Sequence, residues 1–207
     1  ICEGLVGSEM CIRDSLDAGF SQKELLPIES LRYQYLKEHT KQITFKEKHN
    51  AGIQIVVFGD YSPVLNIKML KFLEASDQIL DEPIEFLFKE HINAPISLDK
   101  YSFRNATIIH QPNNELFLSA TNFFFSNMTS AQVDALYFQI KPMVFMDGSE
   151  LNLSPLRGTD RVSYIYTPED LLLNVNYQIL DSDSGDNDFL YLDKEIKKWR
   201  SLISTEL

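Results

Sequence analysis

Residues Ile53 to Pro63 read Ile-Gln-Ile-Val-Val-Phe-Gly-Asp-Tyr-Ser-Pro, and the fold expectation starts from this stretch. Ile53 to Phe58 is a short run rich in β-branched residues, the pattern of a strand. Gly59-Asp60 ends it. Ser62-Pro63 then opens a helix, with Ser as the cap and Pro at the first helical position. Leu65, Met69, Phe72 and Leu73 follow as its apolar stripe.

Upstream, Gln22 to His49 reads helical, with Pro27 starting a helix or kinking this one. Leu25, Leu26, Ile28, Leu31, Tyr35, Leu36 and Ile43 recur at three- and four-residue spacing, and Asn50 and Gly52 supply the stop. Downstream, Asp81 and Pro83 repeat the cap-then-proline signature and predict a helix carrying Ile84, Leu87 and Phe88. Past His91 the pattern changes. Thr107 to Ile109, Glu115 to Ala120 and Phe123 to Ser126 read as strands, with Pro112-Asn113-Asn114 as a turn. Leu136 to Met146 reads as a strand that Pro142 would confine to an edge or a bulge. Val162 to Tyr166 reads as another. Thr167-Pro168-Glu169-Asp170 predicts a helix start, and Lys194 to Ile203 a closing helix. Helices and strands are thus segregated in sequence. The expected class is α+β: an N-terminal helical part (about residues 20–92), then a mostly antiparallel sheet and C-terminal helices (about 93–207).

Leu5 to Asp14 reads Leu-Val-Gly-Ser-Glu-Met-Cys-Ile-Arg-Asp. As codons, CTC-GTG-GGC-TCG-GAG-ATG-TGT-ATA-AGA-GAC, it resembles a transposon-end sequencing adapter in translation. On that resemblance residues 1–15 form a scar to be set aside before fold reasoning, and residues 16–207 form a single N-terminally truncated domain. Cys2 and Cys11, the only cysteines, fall in or beside the scar. The rest offers no disulfide framework, cysteine-ligated zinc or thiol nucleophile.

The net charge is −11. Removing residues 1–15 takes away Arg13 and Glu3, Glu9 and Asp14, which leaves −9. A chain this acidic repels phosphate backbones, so general nucleic-acid binding is disfavoured. Hydrophobic residues make up 44% of the chain, ample for a core, yet no apolar run reaches membrane-spanning length. A soluble, cytoplasmic protein is expected, with no cofactor, since the eight glycines form no phosphate-cradling loop.

Several polar residues stand where sites are often built, directly after apolar strands. Val57-Phe58-Gly59-Asp60-Tyr61-Ser62 resembles the first block of the SGNH/GDSL hydrolases. In that family a serine nucleophile follows the Asp directly. Here Tyr61 holds that position, Ser62 comes one residue late, and the chain contains no Asp-x-x-His to supply the base. Asp60, Ser62, His110, Ser119 and Asn122 are the catalytic candidates. The acidic stretch with Asp181, Asp183, Asp186 and Asp188 is the metal candidate, although no EF-hand register fits it. His39, His49, His91 and His110 show no helical pairing suited to one metal.

Three segments together resemble a bacterial family of unknown function marked by a Ser-Asp-Asn-Pro motif. They are Tyr33-Gln34-Tyr35-Leu36-Lys37, Phe117-Leu118-Ser119-Ala120-Thr121-Asn122 and Tyr137-Phe138-Gln139-Ile140-Lys141-Pro142. The motif's Asp is unmatched, and no Pro follows Asn122. The resemblance implies a fold and no activity. The expected function is binding or regulatory, with no complete catalytic site in the visible chain. One alternative is a hydrolase or nuclease-like enzyme whose site at strand ends lies partly in a missing N-terminus. The other is a structural or virion component.

Overall fold

The computed structural model describes residues 4–6, 8–36, 53–120, 122–175 and 189–205. In chain order the strands are β1 (Gly4–Val6), β2 (Leu25–Pro27), β3 (Ile53–Phe58), β4 (Ile84–Lys89), β5 (Ala106–Ile109), β6 (Phe123–Phe125), β7 (Met143–Phe145) and β8 (Ser163–Ile165). The helices are α1 (Glu9–Asp17), α2 (Pro63–Ile79), α3 (Asn113–Ser119), α4 (Ala131–Tyr137), α5 (Pro168–Asn174) and α6 (Lys197–Thr205). The chain forms two compact units. One comprises residues 1–42 and 182–207, the other residues 43–181.

In the first unit β1 pairs with β2 in parallel. β1 and most of α1 lie in the stretch that resembles the adapter. The described part of the expected Gln22–His49 helix is not one helix. It holds short 3₁₀ turns at Gln22–Glu24 and Leu31–Tyr33 with β2 between them. Pro27 has no N–H to give, so it ends the apolar run as strand rather than continuing a helix. Glu29 is buried and its carboxylate accepts the backbone N–H groups of Lys198 (2.9 Å) and Trp199 (3.2 Å) at the start of α6. Its carbonyl accepts the Trp199 indole N–H at 2.8 Å.

The second unit is a doubly wound α/β sheet. Its strand order is β5-β4-β3-β6-β7-β8, and every neighbouring pair is parallel. The expected α+β class with a mostly antiparallel sheet is therefore corrected to α/β. Three misread segments account for the error. The residues expected to be helical after Pro83 form β4, in which Ile84, Phe86 and Phe88 alternate inward. Glu115 to Ser119 belongs to α3 with Ala120 as its cap, and α4 precedes β7 where one strand was expected. Pro142 stands just before β7, an interior strand, rather than at an edge or bulge.

The core explains the runs of consecutive apolar residues. Parallel sheets are covered on both faces, so their central strands bury every side chain. Ile55 to Phe58, Phe123 to Phe125 and Met143 to Phe145 are all buried. On one face Ile55, Val57, Phe86, Phe88 and Phe124 pack under Met69, Leu70 and Leu73 of α2 and Leu171 of α5. On the other, Phe58 stacks on Phe117 of α3 (5.3 Å between centroids) and on Phe125 (5.0 Å), and Phe117 meets Phe138 (5.1 Å). Burying one such ring contributes about 2–3 kcal/mol.

At the amino-terminal edge of the sheet, Asp77 of α2 is fully buried and paired with Arg104. The Arg104 Nε donates to Oδ1 at 3.0 Å, its backbone N–H to Oδ2 at 2.6 Å, and Nη2 reaches the carbonyls of Leu80 and Glu82. Removing the guanidinium takes a partner from the buried Asp77 carboxylate, which keeps only the backbone N–H of residue 104 on Oδ2. Arg104→Ala is expected to lower the unfolding free energy by about 2 kcal/mol in a urea titration. A loss below about 1 kcal/mol would mean that the pair behaves like an exposed one.

Candidate functional site

Chain growth reverses direction between β3 and β6. From β3 it moves outward to β4 and β5, then returns to the other side of β3 and continues to β8. The carboxyl ends of these two central strands form the topological switch point, where helices leave in opposite senses and open a crevice.

The residues after β3 and β6 meet there. The Ser126 hydroxyl donates to Asp60 Oδ2 at 2.7 Å, and the Ser126 N–H donates to the Phe58 carbonyl at 3.1 Å. The other Asp60 oxygen accepts the Ser62 N–H at 3.0 Å. Asp60 and Asn66 exchange a reciprocal pair, with the Asp60 N–H on Asn66 Oδ1 (2.7 Å) and Asn66 Nδ2 on the Asp60 carbonyl (2.9 Å). This crowding explains Gly59. A Cβ there would stand 3.3 Å from Asn66 Oδ1 and 3.4 Å from Ile96 Cδ1.

Two loops flank this centre. After β4, Asn93 N–H donates to His91 Nδ1 at 3.2 Å, which leaves Nε2 to carry the ring hydrogen. The exposed Tyr61 ring meets His91 edge-on at 6.4 Å. After β7, Lys68 of α2 bridges Asp147 (2.7 Å) and Glu150. Lys68, with the Ser149 N–H and hydroxyl, holds the Asp147 carboxyl well below the usual carboxylate range, while Asp147 and Glu150 hold the ammonium up.

Of the sequence candidates, the structure brings Asp60 and Ser62 together. His110 lies at the end of β5, two strands away from β3, where its carbonyl accepts Lys89 Nζ at 3.3 Å. Ser119 ends α3, and Asn122 precedes β6 with its amide on the Gln54 carbonyl at 2.9 Å. Both sit at the amino-terminal edge, away from Asp60. Ser62 Oγ faces the Leu65 N–H as the cap of α2. Asp181, Asp183, Asp186 and Asp188, together with His39 and His49, lie outside the described residues. Among the described residues no group of three or more His, Cys, Asp or Glu is placed to hold a metal, and no helix is long and apolar enough to cross a membrane. Sequence reasoning passed over Ser126, Gln132 and Ser154. Ser126 was detectable, because it follows Phe123–Phe125 as Gly59-Asp60 follows β3.

Comparison with known proteins places the fold. The UDP-GlcNAc 2-epimerase of Methanocaldococcus jannaschii matches with a TM-score of 0.55 and 11% identity, over 98% of this chain and 62% of that one. The S. aureus MnaA-UDP co-structure matches with a TM-score of 0.54 and 10% identity, over 98% of this chain and 58% of that one. This chain therefore spans about three fifths of the length of each. No family model and no curated protein matches the sequence. At such identities the likeness establishes the α/β fold.

The Asp60–Ser126 bond links side chains across the switch point, and both residues are buried. Ser126→Ala should cost about 2 kcal/mol of stability, and a double-mutant cycle with Asp60→Asn should return a coupling of similar size. Additive effects in that cycle would show that the bond does not join the two halves.

Proposed function

We propose that residues 43–181 form a nucleotide-sugar-binding domain and that the protein acts on a sugar carried by a nucleoside diphosphate, by epimerisation or glycosyl transfer. The observation that carries this reading is the turn after β6 at the switch point. Open α/β sheets bind ligands in the crevice outside the carboxyl ends of their strands at that place. Ser126 to Thr129 form the turn, with the Thr129 N–H directed to the Ser126 carbonyl at 3.4 Å. Both the Ser126 and Asn127 carbonyls are drawn to Gln132 Nε2, at 2.7 and 3.1 Å. In a trans peptide the N–H points opposite to the C=O. The N–H groups of Asn127 and Met128 therefore face away from Gln132. Successive backbone N–H groups of this kind make a concavity suited to an anion.

Backbone recognition also fits the charge. A chain of net charge −11 has little general attraction for polyanions, whereas a turn can hold one small diphosphate. The exposed Tyr61 ring supplies a stacking face, and His91 Nε2 a hydrogen donor for sugar or phosphate oxygens. Asp60 is committed to Ser126 and Ser62, and the Ser62 hydroxyl to its helix cap. A serine-hydrolase reading thus draws no support from this region. The fold likeness to a UDP-GlcNAc 2-epimerase and to a protein determined with UDP supports UDP as the nucleotide to try first.

Isothermal titration calorimetry tests it. UDP and UDP-GlcNAc should bind with at most sub-millimolar Kd, and uridine at least tenfold more weakly. Tyr61→Ala should weaken UDP by about tenfold, the worth of one stacking contact. Absence of UDP binding, or uridine binding as tightly as UDP, would overturn the reading.

A further inference from the structure

Gln132 lies on α4, is fully buried, and has each of its polar atoms engaged. Its Nε2 donates to the carbonyls of Ser126 (2.7 Å) and Asn127 (3.1 Å). Its Oε1 accepts the hydroxyl of Ser154 at 2.6 Å, and Ser154 Oγ in turn accepts the Leu156 N–H at 3.1 Å. Ser154 is also fully buried, in the loop after β7. Asn127 joins the same two loops, donating to the Leu151 carbonyl (2.8 Å) and accepting the Leu153 N–H (3.1 Å). A carboxamide is the one side chain that can donate twice to carbonyls and still accept from a hydroxyl at this position. A glutamate could not donate to the two carbonyls, and an apolar residue could do neither.

We infer that Gln132 is a positioning residue: it sets the orientation of the Ser126–Asn127–Met128 peptides and thereby aims their N–H groups at the ligand's diphosphate, with Ser154 holding the carboxamide in register. The inference rests on the reading that this turn receives the diphosphate. It also extends it, because the loop after β7 becomes part of the anion site without touching the ligand. Released from Gln132, the Ser126 carbonyl keeps only the long bond from the Thr129 N–H (3.4 Å), so the two peptides are held less tightly and the turn loses alignment that an anion site requires.

The test compares wild type, Gln132→Met, Ser154→Ala and Arg104→Ala by calorimetry with UDP and with uridine. Arg104→Ala serves as a destabilised control at the opposite edge of the sheet. Gln132→Met should weaken UDP at least tenfold and leave uridine unchanged, because uridine lacks the group the turn would hold. Ser154→Ala should weaken UDP several-fold in the same selective way, and it carries the test if Gln132→Met does not fold. Arg104→Ala should change neither. Equal losses for UDP and uridine, or equal losses in Gln132→Met and Arg104→Ala, would assign Gln132 a purely structural role and overturn the inference. Wild type that binds UDP alongside a Gln132→Met that binds it equally well overturns the inference alone. Wild type that does not bind UDP overturns the underlying reading, and this inference with it.

Discussion

A single hydroxyl-to-carboxyl bond, Ser126 to Asp60 at 2.7 Å, crosses the line along which the sheet reverses its direction of growth. Parallel strands β3 and β6 meet there through only a few residues, since β6 is three residues long. Side chains beyond the strand ends must therefore continue what the backbone ladder begins. Asp60 is anchored from its own side by Asn66 and Ser62, and Ser126 from its side by Gln132. The result is one connected polar network in a buried place, where each unsatisfied atom would cost about 1–3 kcal/mol. Such a network fixes the position of the two segments that follow β3 and β6.

The same arrangement separates structural from chemical roles. Asp60 stands directly after a strand and a glycine, the sequence context that makes it a catalytic candidate. Its two oxygens accept from Ser126 and Ser62, so it ties the segments after β3 and β6 together. The Tyr61 ring is exposed, His91 is half-buried beside it, and the N–H groups of Asn127 and Met128 point away from Gln132. On the proposed reading they would meet a ligand's aromatic base, hydroxyls and small anion. None of them draws on bulk positive charge, which agrees with the acidity of the chain.

Parts of this were legible in the residues. Ile53–Phe58 and Ser62-Pro63 stand in the structure as a strand and a capped helix, and so do Ser163–Ile165 and the Thr167-Pro168 helix start. Local chemistry decides those elements. The rest depended on context. Ile84, Leu87 and Phe88 fit a helical period, but the buried set is Ile84, Phe86 and Phe88. All seven residues of α4 are buried, so no polar face marks it as a helix. The strand order could not be read at all, because β3 pairs with β6 across an intervening β4 and β5. Gln132 was invisible for a related reason, since its partners come from two loops that only the completed sheet brings together.

The central claim is that the ligand site lies at the carboxyl ends of β3 and β6. A titration of ¹⁵N-labelled protein with UDP, followed by two-dimensional NMR, addresses it directly. Backbone amide shifts should concentrate at Gly59 to Ser62, at Glu90 to Ile92 and at Ser126 to Ser130. Shifts gathered instead at the opposite edge, around Asn122 and Arg104, or spread without focus, would contradict it.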